Sequence, residues 1–311
     1  MNPPGGTEYR RSLHLLAFVT AAAVFPLIVV GAGVTSKNAG MAFPNGFTSD
    51  GYFLRNPPGW WDRDDTRWEH GHRLLGRTVG VLAIALAVGC WRRGGVICLL
   101  GLCTLGAIVT QGLLGAFRVN EVSTGLAMFH GISGQLCFCL ACCTALVAGR
   151  SWRLESGVVE VEQAGFLQRL CVVGTAVCFV QLVSGAALRH FGGGAALLAH
   201  MLGIIAVTSV VGWIAMWVMG QGTGRHLLVR LGRAIAILMV VQLMLGGFAF
   251  TITVMGEQWS NFVLWAVPSA HVAVGALLFV STVLTTLCAY RMLRPAPEES
   301  QQGVVASATM R

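Results

Sequence analysis

The sequence predicts an all-α integral membrane protein, with eight transmembrane helices arranged as two tandem, pseudo-symmetric four-helix bundles. Three observations lead there. Of 311 residues, 55% are hydrophobic and only 11% charged, with a mean hydropathy of +0.70; a soluble domain carries about 25% charged residues. The apolar residues gather into eight runs, each near the roughly 20 residues a helix needs to cross a bilayer. A short motif then returns four times, once in every second run.

The runs lie at about 13–35, 71–91, 95–116, 123–148, 166–188, 195–219, 231–253 and 264–290. The first is long enough to span and no Ala-x-Ala cleavage site follows it, so it is expected to remain as a helix. Arginines cluster in alternate connections: Arg10 and Arg11, Arg92 and Arg93, Arg150 with Arg153 and Arg169, Arg225 with Arg230 and Arg233, and Arg291 with Arg294. The opposite connections hold few basic residues or offset them, as the loop before Glu69 does with Asp50, Asp62, Asp64 and Asp65. The positive-inside rule then places both termini in the cytoplasm and the long loop 36–70 outside, in a multi-pass protein of the cell inner (plasma) membrane. The net charge of +8 does not point to nucleic acid, because the arginines sit in short interhelical loops; the partner they imply is the lipid bilayer. Three regions follow: an N-terminal bundle over 1–150, a C-terminal bundle over 151–294, and a polar Pro/Glu/Ser-rich tail over 295–311, read as disordered.

All ten cysteines fall in or beside apolar runs and none in the loop from Val34 to Thr66. They read as small buried hydrophobes and not as a disulfide framework. The Cys137-x-Cys139 pair is a weak metal signal, since helical geometry turns the two side chains to different faces.

The recurring motif is Q-x-x-x-G-[AG]: "QGLLGAF" (111–117), "QLVSGAA" (181–187) and "QLMLGGF" (242–248), with "LIVVGAG" (27–33) carrying Leu27 for glutamine. Each copy is followed by a connection and then a histidine early in the next run: His72, His130, His200 and His271. A glycine follows each histidine one turn later, at Gly76, Gly134, Gly203 and Gly275. Two helix–loop–His–helix units make one bundle and four make the chain. Repetition alone names no function, since repeats are common in membrane proteins.

A single histidine in a membrane helix can simply hydrogen-bond the repeat's own glutamine or a nearby carbonyl. Four at equivalent positions, two per bundle, point instead to paired imidazoles gripping a haem iron, with the later glycine leaving room for the macrocycle. Zinc fits less well, because no carboxylate or thiolate accompanies His130, His200 or His271. His190 reads as an outer-loop residue beside Arg189. His70, about 200° around the helix from His72, cannot share its site and reads as a surface or supporting group.

Glu69 lies one turn before His72 and so shares its helix face. Two readings stand. Glu69 caps the helix N-terminus and pairs with Arg73, or its carboxylate stands over the haem held by His72 as an acid/base group. The second bundle has Ala196 and Leu197 at the matching place, so the two pockets are expected to differ in chemistry.

With these residues in view, "GAGVTSKNAGMAFPNGFTSDG" (31–51), "EHGHRLLGRTVG" (69–80) and "FHGISGQL" (129–136) resemble the haem A synthase family, and the resemblance covers residues 13–290. It implies an eight-helix enzyme oxidising the C8 methyl of haem O to the formyl group of haem A. His72 and His130 would then bind the substrate haem, and His200 and His271 a haem b cofactor. Glu69 would act as catalytic acid/base or stabilise positive charge at the reacting carbon. Arg73 and Arg77 would pair with propionates or anchor the interface. The implied partners are a haem O synthase supplying substrate, terminal oxidase assembly receiving product, and an electron acceptor that the residues do not name. Two departures stand out: the outer-loop cysteine pairs of many relatives are absent, and the frequent P-D-W-P reads Pro44-Asn45-Gly46-Phe47. Two rival classes use the same histidines: a two-haem b-type electron-transfer cytochrome or quinol oxidoreductase, and a transporter whose histidines relay protons or bind metal.

Overall fold

A computed structural model describes residues 9–53, 55–154, 157–220, 226–255 and 259–295. The tail beyond Pro295, read from sequence as disordered, lies outside these residues. Among them are eight helices long and apolar enough to cross a membrane: α1 (Arg11–Ser36), α2 (Asp64–Trp91), α3 (Gly95–Asn120), α4 (Thr124–Ala148), α6 (Ala164–Phe191), α7 (Gly194–Gly220), α8 (His226–Met255) and α9 (Asn261–Met292). A one-turn helix α5 (Arg150–Leu154) opens the link between α4 and α6. Strand β1 (Val159–Glu160) in that link pairs in parallel with β2 (Leu293–Arg294), which ties the middle of the chain to the end of α9.

Helices α1 to α4 form a closed ring of neighbours, as do α6 to α9, giving the two bundles expected from the repeat. The bundles join where α1 and α4 meet α9 and α4 meets α6. One apolar cluster runs through that seam, from Ala17, Leu86 and Phe138 on one side to Val211, Ile235 and Phe279 on the other. Close helix approach here depends on small residues: a Cβ on Gly174 of α6 would stand 2.5 Å from Ile214 Cδ1 of α7. No disulfide joins any of the ten cysteines, seven of which are buried.

Most helix ends fall within a few residues of the hydrophobic runs, but α2 begins at Asp64, seven residues earlier than its run. Hydropathy registers only the bilayer core, whereas Asp64 and Asp65 in the first turn suit the positive end of a helix dipole. The consequence is functional. The stretch from Glu69 to Arg73 sits inside the helix, with His72 about 12 Å below its start.

The loop joining α1 to α2 roofs the first bundle. Ala39, Phe43 and Ser49 are fully buried within it. Asn45 Oδ1 accepts the N–H groups of Phe47 (2.8 Å) and Thr48 (3.1 Å) and turns the chain, and Phe47 packs edge-on against Phe117 of α3. The Gly46 N–H donates to Asn120 Oδ1 at 2.8 Å, and a Cβ at Gly46 would fall 2.6 Å from Ala116 Cα. Backbone cannot yield to such contact, so Gly46→Val is expected to lift the roof off α3. Limited proteolysis should then cut between residues 37 and 63 several-fold faster in Gly46→Val than in Gly80→Ala on α2, where a Cβ meets open space.

Two facing histidine pairs

The four repeat histidines meet as two pairs, one inside each bundle at the end that carries the roof. His72 of α2 and His130 of α4 have ring centres 6.4 Å apart and ring planes at 83°. His200 of α7 and His271 of α9 repeat this at 6.3 Å and 76°. A metal–imidazole bond is about 2 Å long, so two imidazoles holding one ion from opposite sides stand with centres about 6 Å apart. Each pair can therefore grip a single metal ion axially. Among the described residues no three His, Cys, Asp or Glu side chains gather in one place, so a tetrahedral protein-only site has no ligand set.

The repeat motif explains how the rings are held. A Cβ on Gly31, Gly115, Gly185 or Gly246 would fall 2.9, 3.1, 2.9 or 2.9 Å from Cε1 of His72, His130, His200 or His271. Each motif glycine is thus a niche into which one imidazole edge fits. The four-residue spacing has a cause as well. In an α-helix the carbonyl four residues before the glycine points along the helix toward it, and the carbonyls of Leu27, Gln111, Gln181 and Gln242 are the backbone groups that act on the four rings. A backbone carbonyl behind the ring is the usual way a metal-bound histidine is oriented.

The glycine one turn after each histidine has a different role from the one expected. Space over Gly134, Gly203 and Gly275 is taken by the side chains of Gln111, Gln181 and Gln242, while Gly76, in the repeat with Leu27, meets nothing within 4 Å. These glycines admit the repeat glutamine, and the motif glycine admits the ring.

Glutamine contacts satisfy the rings only in part. Gln181 Nε2 lies 3.5 Å from His200 Nε2, and Gln242 Nε2 lies 3.3 Å from His271 Nε2. His72, His130 and His271 nevertheless keep a buried Nδ1 without a hydrogen bond. These Nδ1 atoms lie nearer the niche glycine than Nε2 does in all three rings, on the side where the repeat carbonyls stand.

Charge separates the two pockets. Glu69 is 2% exposed and lies on the His72 face of α2. Its Oε1 ion-pairs with Arg73, and its Oε2 accepts the Phe43 N–H from the roof at 3.2 Å. The pair with Arg73 is present as the sequence suggested, but Glu69 is not a cap, since α2 starts five residues before it. Arg73 also donates to the carbonyls of Asn45 (2.9 Å) and Thr48 (2.8 Å), which commits its guanidinium to the roof. Arg77, one turn further on, holds a buried Nη1 with no partner. Leu197 and Pro268 occupy the places one turn before His200 and His271, so no acid matches Glu69 there.

Of the two readings, a surface or a supporting group, His70 shows the second. It is fully buried, bonded through Nδ1 to Ser49 Oγ and through Nε2 to Asn56 Oδ1, both at 3.0 Å, with Trp60 and Phe43 packed against its ring. It pins the roof and faces away from His72. Arg189 and His190, expected in a loop, form the last turn of α6. Arg189 donates to Ala32 O (2.8 Å) and Ser36 Oγ (2.7 Å), and so fastens the second bundle to α1 beside the His72 niche. Sequence reasoning passed over it and Arg118 because both look like interfacial anchors. A groove of about 650 Å³ runs along α2, lined by Val30, Trp68, Leu74, Leu75 and Trp265 and also by the charged Lys37, Asp64 and Arg67.

Fold and site together define a class: a multi-pass, all-α membrane protein built from a fourfold helix–His repeat that closes into two opposed histidine pairs. Residues 62–203 match the model of the COX15-CtaA family, described as cytochrome oxidase assembly protein. The matched stretch contains Glu69, His72, His130 and His200. No curated protein matches the chain.

Proposed function

We propose that the protein is a haem A synthase, which oxidises the C8 methyl of haem O to the formyl group of haem A for terminal oxidases. The observation that carries this reading is the pairing of four repeat histidines at the separation of axial ligands, with a buried carboxylate beside one pair only. His72 and His130 hold the substrate haem; His200 and His271 hold haem b, which supplies one-electron transfer when bound. The match of residues 62–203 to the oxidase assembly family supports the destination of the product.

Converting methyl to formyl takes two successive oxidations, through a hydroxymethyl group and then a hydrated aldehyde that loses water. Each adds a hydroxyl from water and releases two protons and two electrons, which leave one at a time through haem b to an external acceptor. Each oxidation leaves the carbon electron-poor. Glu69, held by Arg73 and the Phe43 N–H, keeps negative charge fixed near that carbon without needing to reorganise, and such preorganised charge is the most effective form of electrostatic catalysis. The roof over the first bundle excludes water from the reacting edge. The farnesyl chain of haem O lies in the groove lined by Leu74, Leu75 and Trp265, so the substrate need not leave the lipid. The arginine distribution supports an outer position for the roof and a cytoplasmic one for both termini.

Pigment extraction from the full chain, purified after expression with a haem O source, tests the reading. Haem b together with haem O or haem A is the expected result. Haem b alone in both sites would instead favour a two-haem b-type electron-transfer cytochrome, and a chain without a Soret band would favour a transporter.

A further inference from the structure

We infer that Arg118 anchors a carboxylate of the macrocycle held between His72 and His130, an inference that rests on the haem-binding reading above. Arg118 lies three residues after the niche glycine Gly115 on α3, and so stands on the helix face that receives the His130 ring. It acts electrostatically on His72, His130 and Glu69 together. Its guanidinium lies under the roof against Gly40: a Cβ there would stand 2.8 Å from Nη2 and 3.1 Å from Nη1.

Arg118 shares with Arg77 the lack of an ion pair, but Arg118 is the one that acts on both His72 and His130, whereas Arg77 acts on His70. The ion pairs among the described residues are Lys37–Asp64, Arg63–Asp65, Arg67–Asp64 and Arg73–Glu69. Arg118 is in none of them, and no hydrogen bond of its side chain is found among the described residues. Glu69 is the one acid beside it, and Arg73 already holds that acid. The first pocket therefore carries Glu69 against Arg73 and the half-buried Arg118, one positive charge in excess. A planar guanidinium fork matches a carboxylate bidentately. A macrocycle held by His72 and His130 would bring its carboxylates within reach of Arg118 if they faced the roof, against which the guanidinium lies at Gly40. Arg189, its nearest counterpart at the second pair, is already bonded to Ala32 O and Ser36 Oγ, so this anchor is specific to the first pocket.

The test uses the full chain with His271→Ala, so that spectra report the first pair alone, stripped of haem and titrated with iron protoporphyrin IX or its dimethyl ester. With Arg118 intact, the free acid is expected to bind at least about tenfold more tightly than the diester, the scale of one charge-assisted pair. Arg118→Leu and the closer isostere Arg118→Gln should bind both alike, near the diester affinity, while Arg118→Lys keeps part of the preference. Equal affinities with Arg118 intact, or an undiminished preference in Arg118→Gln, would overturn the inference. A chain with Arg118 and both first-pair histidines intact that shows no bis-histidine spectrum with either compound would overturn the haem-binding reading instead.

Discussion

Glu69→Gln is expected to retain both haems yet slow haem A formation by about 10²–10³-fold, the usual consequence of removing one preorganised electrostatic group. Glutamine keeps the shape of the side chain and an oxygen to accept the Phe43 N–H, so the roof stays in place. Arg73 keeps its bonds to the Asn45 and Thr48 carbonyls and does not swing into the pocket. Only the charge is lost. Extracted pigments should then contain haem O or the hydroxymethyl intermediate in place of haem A, with an unchanged total haem content. Asp64→Asn removes a carboxylate from the exposed pairs with Lys37 and Arg67. Such pairs contribute about 0–1 kcal/mol, so haem A should form at the normal rate. Normal haem A formation in Glu69→Gln would refute the role given to this residue.

The topology was legible in the sequence because a bilayer imposes one rule on every span: about 20 apolar residues with internally satisfied backbone. The histidine pairs were legible because the repeat numbers them; His72, His130, His200 and His271 are equivalent before any coordinates are seen. What escaped is whatever depends on which side chain fills which gap. The motif glycine and the later glycine look alike in sequence, yet one receives an imidazole and the other a glutamine. His70 and His72 differ by two positions and belong to different structures, a roof anchor and a pocket wall, because the loop that claims His70 has no periodicity to read. Arg73 and Arg118 likewise differ only in whether neighbouring carbonyls and carboxylates already engage them. The polar start of α2 was missed for a simpler reason: hydropathy stops at the membrane core, while the helix continues to Asp64.

Filling one niche should empty one haem site and spare the other. Gly115→Val places methyl groups against His130 Cε1, where even a Cβ would stand at 3.1 Å, and Gly246→Val does the same to His271 at 2.9 Å. The ring cannot retreat from the added methyls without shifting against its partner imidazole across the pair. Displacements near 1 Å in a positioned group cost about 100-fold in function, so haem retention at the affected pair should fall at least about tenfold. Gly112→Val and Gly247→Val are matched controls on the same two helices, since a Cβ at either place meets nothing within 4 Å. Both should keep full haem content, because glycine in a helix interior has little intrinsic stability to lose. The measurement is haem per chain together with the spectrum of the site that survives. Gly115→Val should retain haem b and lose haem O or A, whereas Gly246→Val should lose haem b and keep substrate haem bound at the first pair. Equal loss of both pigments in each variant would mean that the glycines maintain helix packing in general, and the niche assignment would fail. Loss confined to one pigment, exchanged between the two variants, follows only if each imidazole depends on its own missing Cβ.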